Sequence, residues 1–249
     1  MALTHQAPTG QERDDGFGNP DLGLQRALQV SAGPAWRPLE HLNIEATLFY
    51  KEIYSLISST SAVVERGGEV VPAVYDNEGR GRVFGAELYA EHRFHRNFRG
   101  WLSYTLMSAR RTDSGQTESR PFDYDQRHIL NVVGSYNLPR GWRFGLRWRF
   151  VSGNPYTPAA GSVFVSDFDE YQPVSGVLNS KRLSAFHQLD LRLDKQWLFE
   201  RWRMTAYLSL TNAYSQKNVE AVSYNYDFSQ SGIVSGVPLL PIVGVKGEF

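Results

Sequence analysis

The chain has 249 residues with 26 basic and 26 acidic side chains, no cysteine, and an aromatic share of 13% against a mean hydropathy of -0.40. The length suits one or two domains, the balanced charge gives no reason for a nucleic-acid or anionic-surface partner, and the lack of cysteine removes disulfides, thiolate metal sites and cysteine nucleophiles. No window of about 18 apolar residues exists to make a transmembrane helix, and the start, MALTHQAPTGQERDDGFGNPD, has no apolar run after a basic region, so no secretory signal peptide is expected there.

Nine segments alternate apolar and polar residues at period two, the signature of strands. They run at 24–36, 42–58, 82–94, 98–111, 124–138, 142–154, 185–197, 201–226 and 238–249. Each reaches the roughly 9 to 11 residues that a tilted strand needs to cross a bilayer. Leu28, Val30 and Ala32 open the apolar series, followed by Ile44, Ala46, Leu48 and Tyr50, then Phe84, Ala86, Leu88 and Ala90, then Leu102, Tyr104 and Leu106, then Leu130, Val132 and Tyr136.

The sixth segment is the most explicit. In GWRFGLRWRF, Trp142, Phe144, Leu146, Trp148 and Phe150 form one wall and Arg143, Arg147 and Arg149 the other. Leu189, Leu191 and Leu193 then face away from Gln188, Asp190, Arg192 and Asp194, and Trp202, Met204, Ala206, Leu208 and Leu210 away from Arg203, Thr205, Ser209 and Thr211. A polar face this charged does not suit the interior of a soluble sandwich. A wet lumen or open solvent does.

The connections sort by length. Those at 37–41, 95–97, 139–141 and 198–200 are tight, whereas about 23 residues lie at 59–81, 12 at 112–123, 30 at 155–184 and 11 at 227–237. Strict alternation of short turns and long loops is the pattern of an outer-membrane barrel. To preserve it, 201–226 is read as one long strand with a bulge around Ala213–Asn218, a separate hairpin being the alternative. The expected fold is therefore an all-β, antiparallel transmembrane barrel segment. Nine strands leave two unpaired edges where single-chain barrels use an even number, so a part of a larger barrel is expected, with 1–23 the tail of an extracellular loop or a disordered start and 24–249 the barrel.

Four stretches resemble the TonB-dependent receptors of Gram-negative outer membranes. They are RPFDYDQRHILN at 120–131, VSGNPYTP at 151–158, LTNAY at 210–214, and a closing strand in which Val243 and Val245 alternate with glycine and lysine before a terminal Phe249. The resemblance implies a 22-stranded barrel filled by an amino-terminal plug, importing a scarce ligand such as a ferric siderophore, cobalamin or a glycan. It also implies outer-membrane lipid and the barrel assembly machinery as partners, with Val243, Val245 and Phe249 as the assembly signal. The TonB complex would act only through a plug. No signal peptide, TonB box or plug is recognised in this sequence, which matches the carboxy-terminal part of such a barrel.

Within that frame Arg143, Arg147, Arg149, Asp190, Arg192 and Asp194 are expected to line the lumen, as a solvated wall or as guides for an anionic ligand. Trp142, Trp197 and Trp202, near short turns, read as an interfacial girdle. In the long loop 155–184, Tyr156, Phe164, Asp167, Phe168, Asp169 and Tyr171 are candidates for ligand contact.

No cofactor, metal site or catalytic constellation is expected. Asp123, Asp125, Arg127 and His128 read as a loop-to-strand junction with local ion pairs, with Asp125 and Arg127 on one face of the strand and His128 on the other. His92 and His95 straddle a turn without a third ligand at suitable spacing, and no nucleophile-elbow, P-loop or zincin pattern occurs. A reading of another class remains, a β-sheet binding or surface protein without transport, which requires a second protein layer over the Trp142-to-Phe150 face.

Overall fold

A computed structural model describes residues 19, 22–60, 63–66, 69–72, 74–95 and 97–249. Its strands in chain order begin with β1 (Arg26–Ala32), β2 (Ala35–Leu39), β3 (Leu42–Ser59), β4 (Val63–Arg66), β5 (Glu69–Pro72), β6 (Tyr75–His95), β7 (Phe98–Thr112) and β8 (Arg120–Pro121). Next come β9 (His128–Leu138), β10 (Trp142–Val151), β11 (Pro155–Tyr156), β12 (Ala159–Val165), β13 (Glu170–Ser175) and β14 (Lys181–Arg182). The chain ends with β15 (Phe186–Leu198), β16 (Arg203–Thr211), β17 (Val219–Tyr224), β18 (Ser231–Ser235) and β19 (Leu240–Glu248).

Eleven strands form one antiparallel sheet whose path runs β1-β3-β6-β7-β9-β10-β15-β16-β19. Each path strand pairs with the next one along the chain, the short β2 extends β1 along β3, and β8 caps β7. The bend between β1 and β2 requires glycine: a side chain at Gly33 would sit 1.8 Å from the Ala46 carbonyl. The Leu138–Trp142 turn places Arg140 and Gly141 at positive φ, and a Cβ on Gly141 would meet the Gln196 carbonyl at 2.5 Å.

Register keeps the two faces apart across every ladder. Phe144 lies opposite Tyr136 and Leu193, Leu146 opposite Gly134 and Leu191, Trp148 opposite Val132 and Leu189, and Leu208 opposite Leu193 and Val243. This apolar face carries no second layer of the described residues, and Leu48, Phe84, Leu88, Leu106 and Val243 stand exposed on it. Among the described residues only Ala109, Val151 and Pro155 are buried apolar side chains. A sheet of this size without an apolar interior needs a medium other than water against that face.

Three sequence readings are corrected. Residues 201–226 are not one strand: β16 ends at Thr211, Asn212 turns the chain at positive φ, and β17 pairs with β18 as a separate hairpin. Turn and loop lengths still alternate, because that hairpin stands within the connection from β16 to β19 and adds no strand to the sheet. The third segment begins at Tyr75 rather than 82, since the Asp76–Arg80 stretch continues the ladder with β3 across two bulges. The fifth begins at His128 rather than 124. Asp125 therefore shares no strand face with Arg127, and it lies in a turn whose N–H bonds to the Phe122 carbonyl at 2.9 Å. The reading of 1–23 as a loop tail falls almost wholly outside the described residues.

Candidate functional site: a cationic strand wall under a pinned loop layer

The six strand candidates come together on the polar face of β10 and β15. Arg147 pairs in register with Asp190 and Arg143 with Asp194. The Arg147 guanidinium donates from Nε at 2.9 Å and Nη2 at 2.6 Å to Oδ2 of Asp190, whose other oxygen accepts from Gln188 Nε2 at 2.7 Å and the Asn212 N–H at 3.0 Å. Arg192 forks onto Asp194 two residues along and stacks over the Tyr207 ring at 4.0 Å. Arg143 donates to the Asn137 side chain at 3.1 Å, and Arg149 lies 5.5 Å from the Phe186 ring centre. Four guanidinium groups thus face two carboxylates, and neither Arg143 nor Arg149 has a carboxylate partner among the described residues.

The long connections gather at the opposite end of the strands from the tight turns. The 113–127 connection is bound to that of 152–185 by buried polar contacts. Asp125, 1% exposed, accepts the Ala109 N–H at 2.6 Å and the Arg182 guanidinium, which also donates to the Asp125 and Gly153 carbonyls. Asn179 donates to the Pro121 carbonyl at 2.9 Å and the Asp123 carboxylate at 2.6 Å. One step back, Asp113 bridges Arg111 and Arg120 and accepts from Ser58 on β3. Burial alone would raise the Asp113 carboxyl, but the Arg120 hydrogen bond and the adjoining guanidinium charges hold it below the ordinary carboxylate value.

The connection from β16 to β19 is tied in the same way. Asn212, 0% exposed, donates to the Gln216 and Val237 carbonyls, and Asn218 clasps both backbone groups of His187. This hairpin then leans on β12 and β13. The Tyr224 hydroxyl accepts the Ala159 N–H, Ser162 donates to the Asp227 carbonyl, Tyr226 donates to the Asp169 carbonyl, and the Tyr171 and Tyr226 rings meet edge-on at 5.4 Å.

The loop candidates separate by place. Asp167, Phe168 and Asp169 form the turn of the β12–β13 hairpin, and Phe168 is 72% exposed. Tyr171 is committed to Phe164 and Tyr226, and Tyr156 sits at the base of the loop opposite Lys181. Tyr226 and Tyr124, both exposed, share this layer and were not singled out from sequence, because neither lies in the 155–184 stretch. At the other end, Val243 and Val245 lie on the apolar face opposite Leu208 and Ala206, and Phe249 stacks on Trp202, itself stacked on Phe199.

The sequence also left out two aromatic sets. Near the loop end of the apolar face, the Tyr104 hydroxyl meets His128 Nδ1 at 2.8 Å, and that of Tyr214 meets His187 Nδ1 at 2.8 Å and Trp148 Nε1 at 3.3 Å. At the tight turns, His41 lies beside both His92 and His95, giving the third histidine that sequence spacing did not supply. The His41 and His95 rings stack at 4.2 Å with their planes 13° apart instead of converging on a point, and no group of three or more His, Asp or Glu side chains among the described residues is arranged to hold a metal ion.

The TonB dependent receptor-like, beta-barrel family model matches residues 3–213. The chain is similar in fold to the ferric-catecholate import receptor Fiu from Escherichia coli K12, with 16% identity over 98% of this chain and 30% of that one, TM-score 0.61. It is also similar to the FrpB iron transporter from Neisseria meningitidis, with 17% identity over 93% and 33% of the two chains, TM-score 0.60. For the outer-membrane transporter YddB from Escherichia coli the values are 13%, 93%, 34% and 0.63. The chain spans about a third of the length of these structures. No curated protein matches it.

Proposed function

The chain belongs to the TonB-dependent receptor-like β-barrel family of the outer membrane, and from that premise we propose that it forms barrel wall and ligand-capturing loops of an uptake receptor. The ligand is a scarce, large solute of siderophore, cobalamin or glycan type. The apolar face meets lipid, and the polar face of β10 and β15, with its excess of guanidinium groups, lines the lumen and attracts anionic solutes inward. The family is one of transport proteins.

One observation carries this reading. The 113–127, 152–185 and 212–239 connections form a single layer at one end of the sheet, joined by the Asp125–Arg182 and Asn179–Asp123 contacts and by the Tyr224, Ser162 and Tyr226 hydrogen bonds, with exposed Phe168 and Tyr226 on top. Loops held this rigidly present aromatic side chains at low entropic cost to a ligand. Val243 and Val245 on the apolar face of β19, with Phe249 stacked on Trp202, support the reading of these three residues as an assembly signal. The ion-ladder residues Arg147 and Asp190 belong to the wall and not to capture.

The test is uptake by host cells carrying Phe168→Ala with Tyr226→Ala, given iron as a ferric catecholate and as ferric citrate, then cobalamin, then an oligosaccharide. The double variant should reach the outer membrane in wild-type amounts and lose most uptake of one probe class. Unchanged uptake of all four probes would overturn the capture role of these loops.

A further inference from the structure

On the apolar face, one row beyond the aromatic residues Tyr50 and Phe84, the side chains turn basic. Arg82 of β6 lies directly opposite Arg110 of β7, and on its other side opposite Glu52 of β3. Arg80 follows two residues along on the same face, and Arg26 of β1 stands opposite Tyr54, one row from Glu52. Two residues along a strand advance about 7 Å, so this belt stands just past the apolar band, and cross-strand neighbours are about 5 Å apart.

Four arginines share this corner with one nearby carboxylate. Glu52 reaches Arg82 at 3.7 Å but also accepts the Tyr50 hydroxyl at 3.0 Å. Arg110 donates to neutral Ser119 only, and neither Arg26 nor Arg80 has an ion-pair partner among the described residues. The next acidic groups on β6, Glu78 and Asp76, lie further out and accept from Ser114. Like charges directly opposite on an antiparallel pair destabilise it, so a stable sheet that places Arg82 against Arg110 has an anion to gain. Guanidinium forks match phosphate oxygens in pairs.

We propose that Arg82 and Arg110, flanked by Arg80 and Arg26, bind the phosphate of a lipid headgroup in the outer leaflet beside the barrel. The proposal rests on the apolar face being lipid-facing. The site escapes a count of charges because the chain is neutral as a whole; the basic belt is local to one side of three strands. It has no part in solute capture, since these residues lie on the face opposite to Arg147 and Arg143.

Two measurements test it on the full chain purified from outer membranes. Because the chain has no cysteine, a fluorophore on Leu88→Cys gives a single reporter, which brominated-chain phosphatidylcholine should quench. Native mass spectrometry then measures retention of bisphosphorylated lipid A against its dephosphorylated form in wild type, in Arg82→Gln with Arg110→Gln, and in Arg201→Gln as a control on an exposed turn. Two basic residues at a membrane surface correspond to about a thirtyfold loss, expected in the double variant alone and for the phosphorylated lipid alone. Quenching with undiminished retention overturns the headgroup site and leaves the membrane reading intact. No quenching overturns the membrane reading and the site with it. Equal retention of both lipid forms, or displacement of the lipid by inorganic phosphate, overturns the commitment to a lipid headgroup.

Discussion

The strand wall and the loop layer of this protein are built on opposite principles. In the wall almost nothing apolar is buried, and order comes from the ladder while large side chains such as Leu48, Phe84 and Val243 stand exposed on one face. In the loop layer the buried groups are polar: Asp125, Asn179, Asn212 and Asn218 are enclosed and fully engaged by hydrogen bonds across 4 to 58 residues of sequence. With lipid against it, as proposed above, the wall can leave its apolar face bare. The loops stand in water without enough apolar surface for a core, and specific polar contacts, costly to break, replace one.

The largest way to break that contrast is to remove one latch. Asp125→Ala leaves the Arg182 guanidinium and the Ala109 N–H without their partner, and loss of one member of a buried pair costs about 3 to 5 kcal/mol. The damage should stay in the loop layer: limited proteolysis should cut within 152–185 while the resistance of the wall strands is unchanged. Collapse of the whole sheet in this variant would show that wall and loops are one cooperative unit. Asp125→Asn keeps an acceptor for Ala109 and should fall between the two.

The next effect addresses the wall. Leu146→Arg places a charge on the apolar face between Gly134 and Leu191, at a cost of about 2 to 4 kcal/mol near mid-bilayer. The adjacent Arg147→Leu removes a partly exposed ion pair, and Asp190 keeps Gln188 and the Asn212 N–H, so its cost is about 1 kcal/mol or less. Urea titrations of the two variants in lipid vesicles rank them. A larger loss for Arg147→Leu would reverse the assignment of faces.

The same contrast explains what could be read in advance. Wall strands announce themselves through alternation, since Trp142 to Phe150 repeat a local rule that needs no knowledge of partners. What misled at 201–226 was the order of turns and loops: keeping short and long connections in alternation joined the Arg203–Thr211 strand to Val219–Tyr224, which pairs only with Ser231–Ser235 in the loop layer. The latches were invisible for a different reason. Arg182 is 57 residues from Asp125 and Asn179 is 56 from Asp123, and no local pattern marks a pair so distant. What sequence did register was likeness: the RPFDYDQRH, VSGNP and LTNAY stretches contain Asp125, Gly153 and Asn212, and each is a point where a loop is fastened. Phe168 was legible as an aromatic on a long loop, whereas Tyr226 was hidden by the strand assigned over it.

The smallest effect is a pH dependence of the loop layer alone. Asp113, outside the strands and held between Arg111 and Arg120, has its carboxyl lowered in the folded protein. A group with a depressed native value stabilises the fold fully above its unfolded value, near 4, and that contribution disappears as pH falls through the lower native value. Between neutral pH and about pH 5 loop protection should therefore be flat, and below about pH 4 it should decline, as hydrogen exchange at the backbone of 113–123 would show. Asp113→Asn should remove most of the decline and lower the plateau, because Arg111 and Arg120 then face a neutral amide. The wall, whose ladder does not depend on this carboxylate, should show no matching change, and a parallel loss of protection in β9 and β10 would mean that acid acts on the sheet as a whole rather than on the latch.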